Sequence, residues 1–149
     1  MIALRITDLK SFTSLLFLHT TFDAFQICEA SFSVAATYFI DGHRNKDFYD
    51  TDEWDDLQNP DYLTWGEVRP RCFDWIKGSR LPLGFKIILR SPNTAAGTAF
   101  LNIRYDQSGM QCITGFSAKS FSLDRSFEHE WDDRIRLFFR KKGILFEES

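Results

Sequence analysis

The stretch Cys28–Asp41, CEASFSVAATYFID, decides how the rest of the chain is read. Its even positions hold Cys28, Ala30, Phe32, Val34, Ala36, Tyr38 and Ile40. Its odd positions hold Glu29, Ser31, Ser33, Ala35, Thr37, Phe39 and Asp41. A period of two is the pattern of a β-strand, whose side chains alternate between faces. The run is too long for one ordinary strand, so it predicts two, with a break near Ser33–Ala36. Asp41-Gly42 follows, and KDFY comes soon after, which predicts a further hairpin.

Upstream, MIALRIT alternates with Ile2, Leu4 and Ile6 on one face, another strand. Thr7 or Asp8 offers a side-chain oxygen to cap the helix DLKSFTSLLFLH, whose apolar face holds Leu9, Phe12, Leu15 and Leu16. Residues 51–61 are polar and acidic, and read as a loop with a short helical turn. A helix follows with Trp65, Val68, Cys72, Phe73 and Ile76 at helical spacing and Gly78 at its end. Pro70 either occupies the first turn of that helix, which then starts at Arg69, or bends it. LGFKIILRS is a strand, and TAFLNIRYD with MQCITGFSAKSF forms a hairpin across QSG. A closing helix runs from about 127 to 142, with Phe127, Trp131, Ile135, Phe138 and Phe139 as its apolar stripe. ILFEE is a short extended tail.

These elements predict a single α+β domain over residues 1–149, a mostly antiparallel sheet of six or seven strands covered by helices. Hydrophobic residues at 44% and charged residues at 26% suit a globular core that needs no metal or disulfide. The 16 Phe residues point to an aromatic core rather than an aromatic binding surface. Cys28, Cys72 and Cys112 are too few and too scattered for a disulfide framework or a zinc knuckle, which favours a reducing cytoplasm. No stretch is long and apolar enough to span a membrane, and the first residues do not read as a signal peptide. Residues 1–60 hold four Lys/Arg against ten Asp/Glu, and residues 61–149 hold fourteen against eleven. This polarity is far from the basic stripe of a dedicated nucleic-acid binder.

EWDD occurs twice, at Glu53–Asp56 and Glu130–Asp133, 77 residues apart. The copies raise a duplicated strand–helix–three-strand unit, an element order over about residues 1–120 that resembles the repeating unit of the DNA sliding clamp. At the level of residues, MIALRITDLKSF, IDGHRNKDFYD, RPRCFDWIKG with LPLGFKIIL, and the final EWDD helix resemble a family of uncharacterised proteins from Gram-positive anaerobes, a domain of unknown function. The resemblance covers nearly the whole chain and implies no activity, cofactor or catalytic residue.

Two readings of function follow. The first is a non-enzymatic cytoplasmic interaction domain that binds a protein or nucleic acid. Its binding residues would be Arg44 and Lys46 in DGHRNK, with Arg69, Arg71, Trp75, Lys77 and Arg80 in RPRCFDWIKGSR, since cations beside an aromatic face suit phosphates and stacked bases. That face requires the two segments to meet. The second is a metal-dependent phosphoesterase, with Asp50, Asp52, Glu53, Asp55 and Asp56 and then Glu128, Glu130, Asp132 and Asp133 as ligands. Against it, the second cluster also complements the positive end of the closing helix. No two of His19, His43 and His129 sit at ligand spacing, so no metal or cofactor is expected. A dyad of His43 with an acid is conceivable, and two arginines near Cys72 could lower its thiol pKa, although its place on the apolar face favours burial. Nucleophile elbows, phosphate loops and dinucleotide fingerprints are missing from the sequence.

Overall fold

A computed structural model describes residues 1–121 and 123–149. Seven strands form one antiparallel sheet in the order β3-β2-β4-β5-β6-β1-β7. They are β1 (Ala3–Ile6), β2 (Gln26–Ser33), β3 (Thr37–Asp41), β4 (Gly84–Arg90), β5 (Gly97–Asp106), β6 (Gly109–Ala118) and β7 (Phe146–Glu148). The helices are α1 (Leu9–Phe17), α2 (Thr51–Asp55), α3 (Trp65–Ile76) and α4 (Ser126–Lys141). The α+β architecture is the one the alternating and helical periods imply.

The stretch 28–41 does split into two paired strands, with Ser33 opposite Thr37. One residue departs from the parity. The register slips between Ile27 and Glu29, so Cys28 is the extra residue of a β-bulge. The bulge puts Ile27 on the same face as Ala30 and Phe32. All three are buried, whereas Cys28 is only half-buried.

The helices α1, α3 and α4 pack on that face. Asp8 caps α1 by accepting from the Ser11 amide at 3.1 Å, and α1 buries Phe12, Leu16 and Phe17. The core is aromatic, as the composition implies. Phe17 meets Phe85 and Trp65 edge-on at 5.5 and 5.8 Å, and Phe22 meets Phe138 at 5.5 Å. The Trp65 indole N–H donates to the Leu16 carbonyl at 2.9 Å, which satisfies the polar atom of a fully buried ring. The second face of the sheet carries none of these three helices, an arrangement antiparallel sheets tolerate.

Two expectations need correction, and one open alternative is decided. Asp41-Gly42 does not open a hairpin, because residues Lys46–Phe48 form a 3-10 turn rather than a strand. Gly42 is needed for a different reason: a Cβ there would lie 1.8 Å from the Ile27 carbonyl oxygen. Residues 42–63 leave the sheet and return, closed by Gly42 N–H to Cys28 O, Leu63 N–H to Gly42 O and Ile27 N–H to Leu63 O. The second helix begins at Trp65, not Arg69, so Pro70 sits within it and leaves the Gly66 carbonyl without its helical donor. Phe127 is 53% exposed and drops out of the closing stripe, which Trp131, Ile135 and Phe139 carry.

The suggested duplication also dissolves into two different settings. Two strands, not three, follow α1, and β1 lies across β6 from the other strands of its half. The first EWDD lies on α2, a five-residue helix with Asp50 and Glu53 in a reciprocal capping box. The second lies in the second turn of α4. There Trp131 is 6% exposed and donates from Nε1 to the Phe100 carbonyl at 2.9 Å. Beside it, Asp132 is buried and accepts from Thr114 Oγ1 at 2.5 Å. Trp131→Ala is therefore expected to cost about 3–5 kcal/mol in denaturant melts, and Trp54→Ala less than about 1 kcal/mol. Equal losses at the two tryptophans would refute this division of roles.

Candidate functional site

The sequence-predicted binding residues distribute along α3 and do not form one face. Arg44 lies at the start of that helix, where its Nη1 and Nη2 donate to the Glu67 carboxylate at 2.9 and 2.7 Å. Lys77 and Arg80 lie beyond its other end. A twelve-residue helix is about 18 Å long, so the two groups stand that far apart. Arg69 turns to Asp23, with contacts of 2.8 and 3.0 Å. Lys46 sits 5.6 Å above the Trp54 ring, and Arg71 is exposed. Trp75 stacks on Tyr38 at 4.8 Å and 6° and tilts against Phe32, so one flat face is occupied within the fold.

Carboxylates already compensate Arg44 and Arg69. Burial works to raise the Glu67 carboxyl, but the Arg44 guanidinium and the Thr64 amide and hydroxyl outweigh it and hold Glu67 below its ordinary 4.5. Glu67 in turn raises Arg44 above its usual value. This pair is structural, fixing the start of α3 against the 42–63 excursion.

Lys77 and Arg80 do share a feature. They border a groove of about 650 Å³ between α1 and the C-terminal end of α3. Its lining includes Phe17, Phe73, Ile76, Leu81 and Tyr105, with Lys10 on the α1 side. Leu81 is 83% exposed beside it, and the neighbouring Leu83 is exposed as well. Gly78, at φ 139°, lets the chain leave α3 and fold its Leu81 segment along the groove. Lys77 forms an exposed pair with Asp74 at 3.1 Å, and Lys10 and Arg80 have no carboxylate within ion-pair distance among the described residues. Sequence pattern reached the two cations here. The apolar floor was hidden because its residues come from α1, α3, β4 and β5.

Five of the clustered acids serve local structure. Asp50 and Glu53 cap α2. Glu128 and Asp132 receive the N-terminal ammonium at 2.7 and 3.1 Å, and Asp133 pairs with Arg136 at 2.6 Å. Among the described residues, no group of three His, Cys, Asp or Glu side chains is arranged to hold a metal ion. Cys72 is buried, and burial pushes its thiol up to about 12, so its neighbouring arginines do not activate it. His43 does pair with an acid, through Nδ1 to Asp41 Oδ1 at 2.7 Å. No hydrogen bond joins His43 to the half-buried Cys28, whose thiol burial also raises.

The chain belongs to a family of unknown function (DUF5721), whose model matches residues 15–99 and 93–147. No curated protein and no solved structure matches it.

Because the folded-state pKa of Glu67 is depressed, its contribution to stability is complete above about 4.5 and is lost as pH falls through the lower folded value. Glu67→Gln is expected to lower the denaturation midpoint at pH 7 and to flatten its acid limb below pH about 4.5. Parallel acid limbs in the two proteins would show that the ion pair contributes nothing to folding.

Proposed function

We propose that the chain is a non-enzymatic interaction domain of the bacterial cytoplasm, which docks an acidic amphipathic segment of a partner protein in the groove between α1 and α3. The observation that carries this reading is an apolar floor bordered by Lys10, Lys77 and Arg80. Water against Phe73, Ile76 and Leu81 is unfavourable, and a contiguous exposed apolar surface marks an interaction site. A segment with aliphatic side chains on one face and carboxylates at its edges gains both burial and ion pairs, the helix-in-groove mode of recognition.

Nucleic acid, the other partner class, fits this surface less well. Phosphates need cations along a track and bases need free aromatic faces. Here the cations are at the rim, and Trp75 is already stacked on Tyr38. Three thiols without a disulfide support a reducing compartment. Among the described residues, no helix is long and apolar enough to cross a membrane. Among the described residues, the metal-dependent phosphoesterase alternative finds no converging carboxylates of the kind it requires.

A photo-reactive amino acid in place of Leu81, introduced in living cells of the source organism, tests the reading. A discrete protein adduct is expected at Leu81, absent when the same group replaces exposed Gln58 and lost in the background of Lys77→Glu with Arg80→Glu. Adducts of equal yield at both positions, or adducts indifferent to the charge reversal, would overturn it. An extractable lipid in place of protein would assign the groove to an acyl ligand instead.

A further inference from the structure

A second site lies on the sheet face away from α1, α3 and α4. There, the 42–63 excursion stands over the ends of β4, β5 and β6 and encloses a cleft of about 550 Å³. Thr98, Phe100 and Ser117 line it from the sheet, and His43 and Tyr62 from the excursion. Register explains the sheet side. Arg90 is opposite Phe100, Phe100 is opposite Gly115, and Thr98 is opposite Ser117, all out of phase with the core residues Leu89, Leu101 and Thr114.

Arg90 is the unusual member of this cleft. The residue is 5% exposed, and no carboxylate of the described residues lies within ion-pair distance. Its guanidinium has five N–H donors. Only Nη2 meets acceptors, Asn93 Oδ1 and Thr98 Oγ1, the latter at 3.4 Å. Nε is buried with no partner, and no acceptor of the described residues meets Nη1. The Tyr62 ring lies 3.9 Å from the guanidinium carbon, a cation–π contact that offsets part of the desolvation. Cys28, Asn93, Thr98, Phe100 and Ser117 are neutral. Asp61 is exposed at the rim and makes no ion pair with Arg90, while Asp41 is engaged by His43. A second cation, Arg44, also lines the cleft with a side chain only 4% exposed and an unpartnered buried Nε, but Glu67 neutralises it.

A buried guanidinium with neutral hydrogen-bond partners is costly, because the charge loses water and gains no counter-ion. Folding alone would be served as well by an apolar side chain under Tyr62. We infer that the cleft is a binding site for an oxyanion, the carboxylate or phosphate of a small molecule, with Arg90 as its counter-ion. The anion takes the unused donors of Arg90, and the Ser117 hydroxyl on the adjacent row supplies a neutral donor beside it, while the Thr98 hydroxyl is committed to Asn93. The anionic group alone is assigned; the remaining volume of the cleft holds the body of the ligand. This site is independent of the groove between α1 and α3, which lies across the sheet.

The test uses the full chain and simple probes. Thermal melts are recorded in sodium chloride, sodium phosphate and sodium acetate at one ionic strength and pH. Binding to the native state raises the midpoint with probe concentration and saturates. A saturating rise of a few degrees is expected with phosphate, with acetate or with both, and the stronger of the two identifies the anion class. Arg90→Met is expected to melt at or above the wild-type temperature in chloride and to lose the anion-dependent rise. Arg90→Lys keeps the charge without the fork, and is expected to retain a weaker rise. In parallel, the Arg90 Nε–H resonance, assigned by its absence in Arg90→Met, is expected to shift along a saturable curve with the stabilising anion. The inference is overturned if neither anion moves the wild-type midpoint or that resonance beyond the chloride control. It is equally overturned if the anion response survives unchanged in Arg90→Met, since Arg90 would then be a structural post for the 91–97 loop and not the counter-ion.

Discussion

One backbone closure holds the functional architecture together. Gly42, Cys28, Leu63 and Ile27 exchange three main-chain hydrogen bonds at a point where the chain approaches too closely for any Cβ. The closure lets residues 42–63 depart from the sheet edge and rejoin it one residue before Thr64. That return delivers Glu67 to Arg44 and starts α3 at Trp65, whose indole anchors α1. It also lays Tyr62 on Arg90. A side chain at position 42 would strain all of these at once, so the glycine serves contact rather than turn chemistry.

The sheet is buried on one face only, and this asymmetry separates the two candidate surfaces. On the helical face, large aromatic rings meet edge-on, and the two buried indoles find carbonyl partners through their N–H groups. Helices there leave a groove wherever they diverge, and α1 with α3 diverge beside the Leu81 segment. On the other face the strands present more polar side chains, with the excursion as partial cover. A cation largely buried under that cover meets no carboxylate within ion-pair distance among the described residues, which is why Arg90 stands apart from the other arginines. Arg44, Arg69 and Arg136 each face an acid.

The repeated EWDD shows how little a tetrapeptide specifies. At Glu53 it caps a short helix on the excursion, where the indole contacts Tyr49 and lies under Lys46. At Glu130 it belongs to a sixteen-residue amphipathic helix, so the tryptophan enters the core and the next aspartate follows it in to meet Thr114. The pattern of apolar residues around the motif decides between these fates. Ile135 and Phe139 continue the second copy at helical spacing, and nothing comparable follows the first.

The sequence by itself determined the secondary elements and the class of the fold. Alternation marked β1, β2 and β3, Asp8 marked the start of α1, and Gly78 and Gly143 marked the ends of α3 and α4 with positive φ. These signals are local: a period, a capping oxygen, a residue without a Cβ. The sequence also grouped Lys77 and Arg80 at one helix end, and both line the groove there. Tertiary structure alone decided the strand order, the bulge at Cys28, the role of Gly42, the partners of Arg44 and Arg69, and the isolation of Arg90. Each depends on which residues meet across long separations in the chain. An arginine ending a strand reads the same whether its guanidinium meets an acid, water or nothing, and only the packed sheet and the excursion above it set that difference.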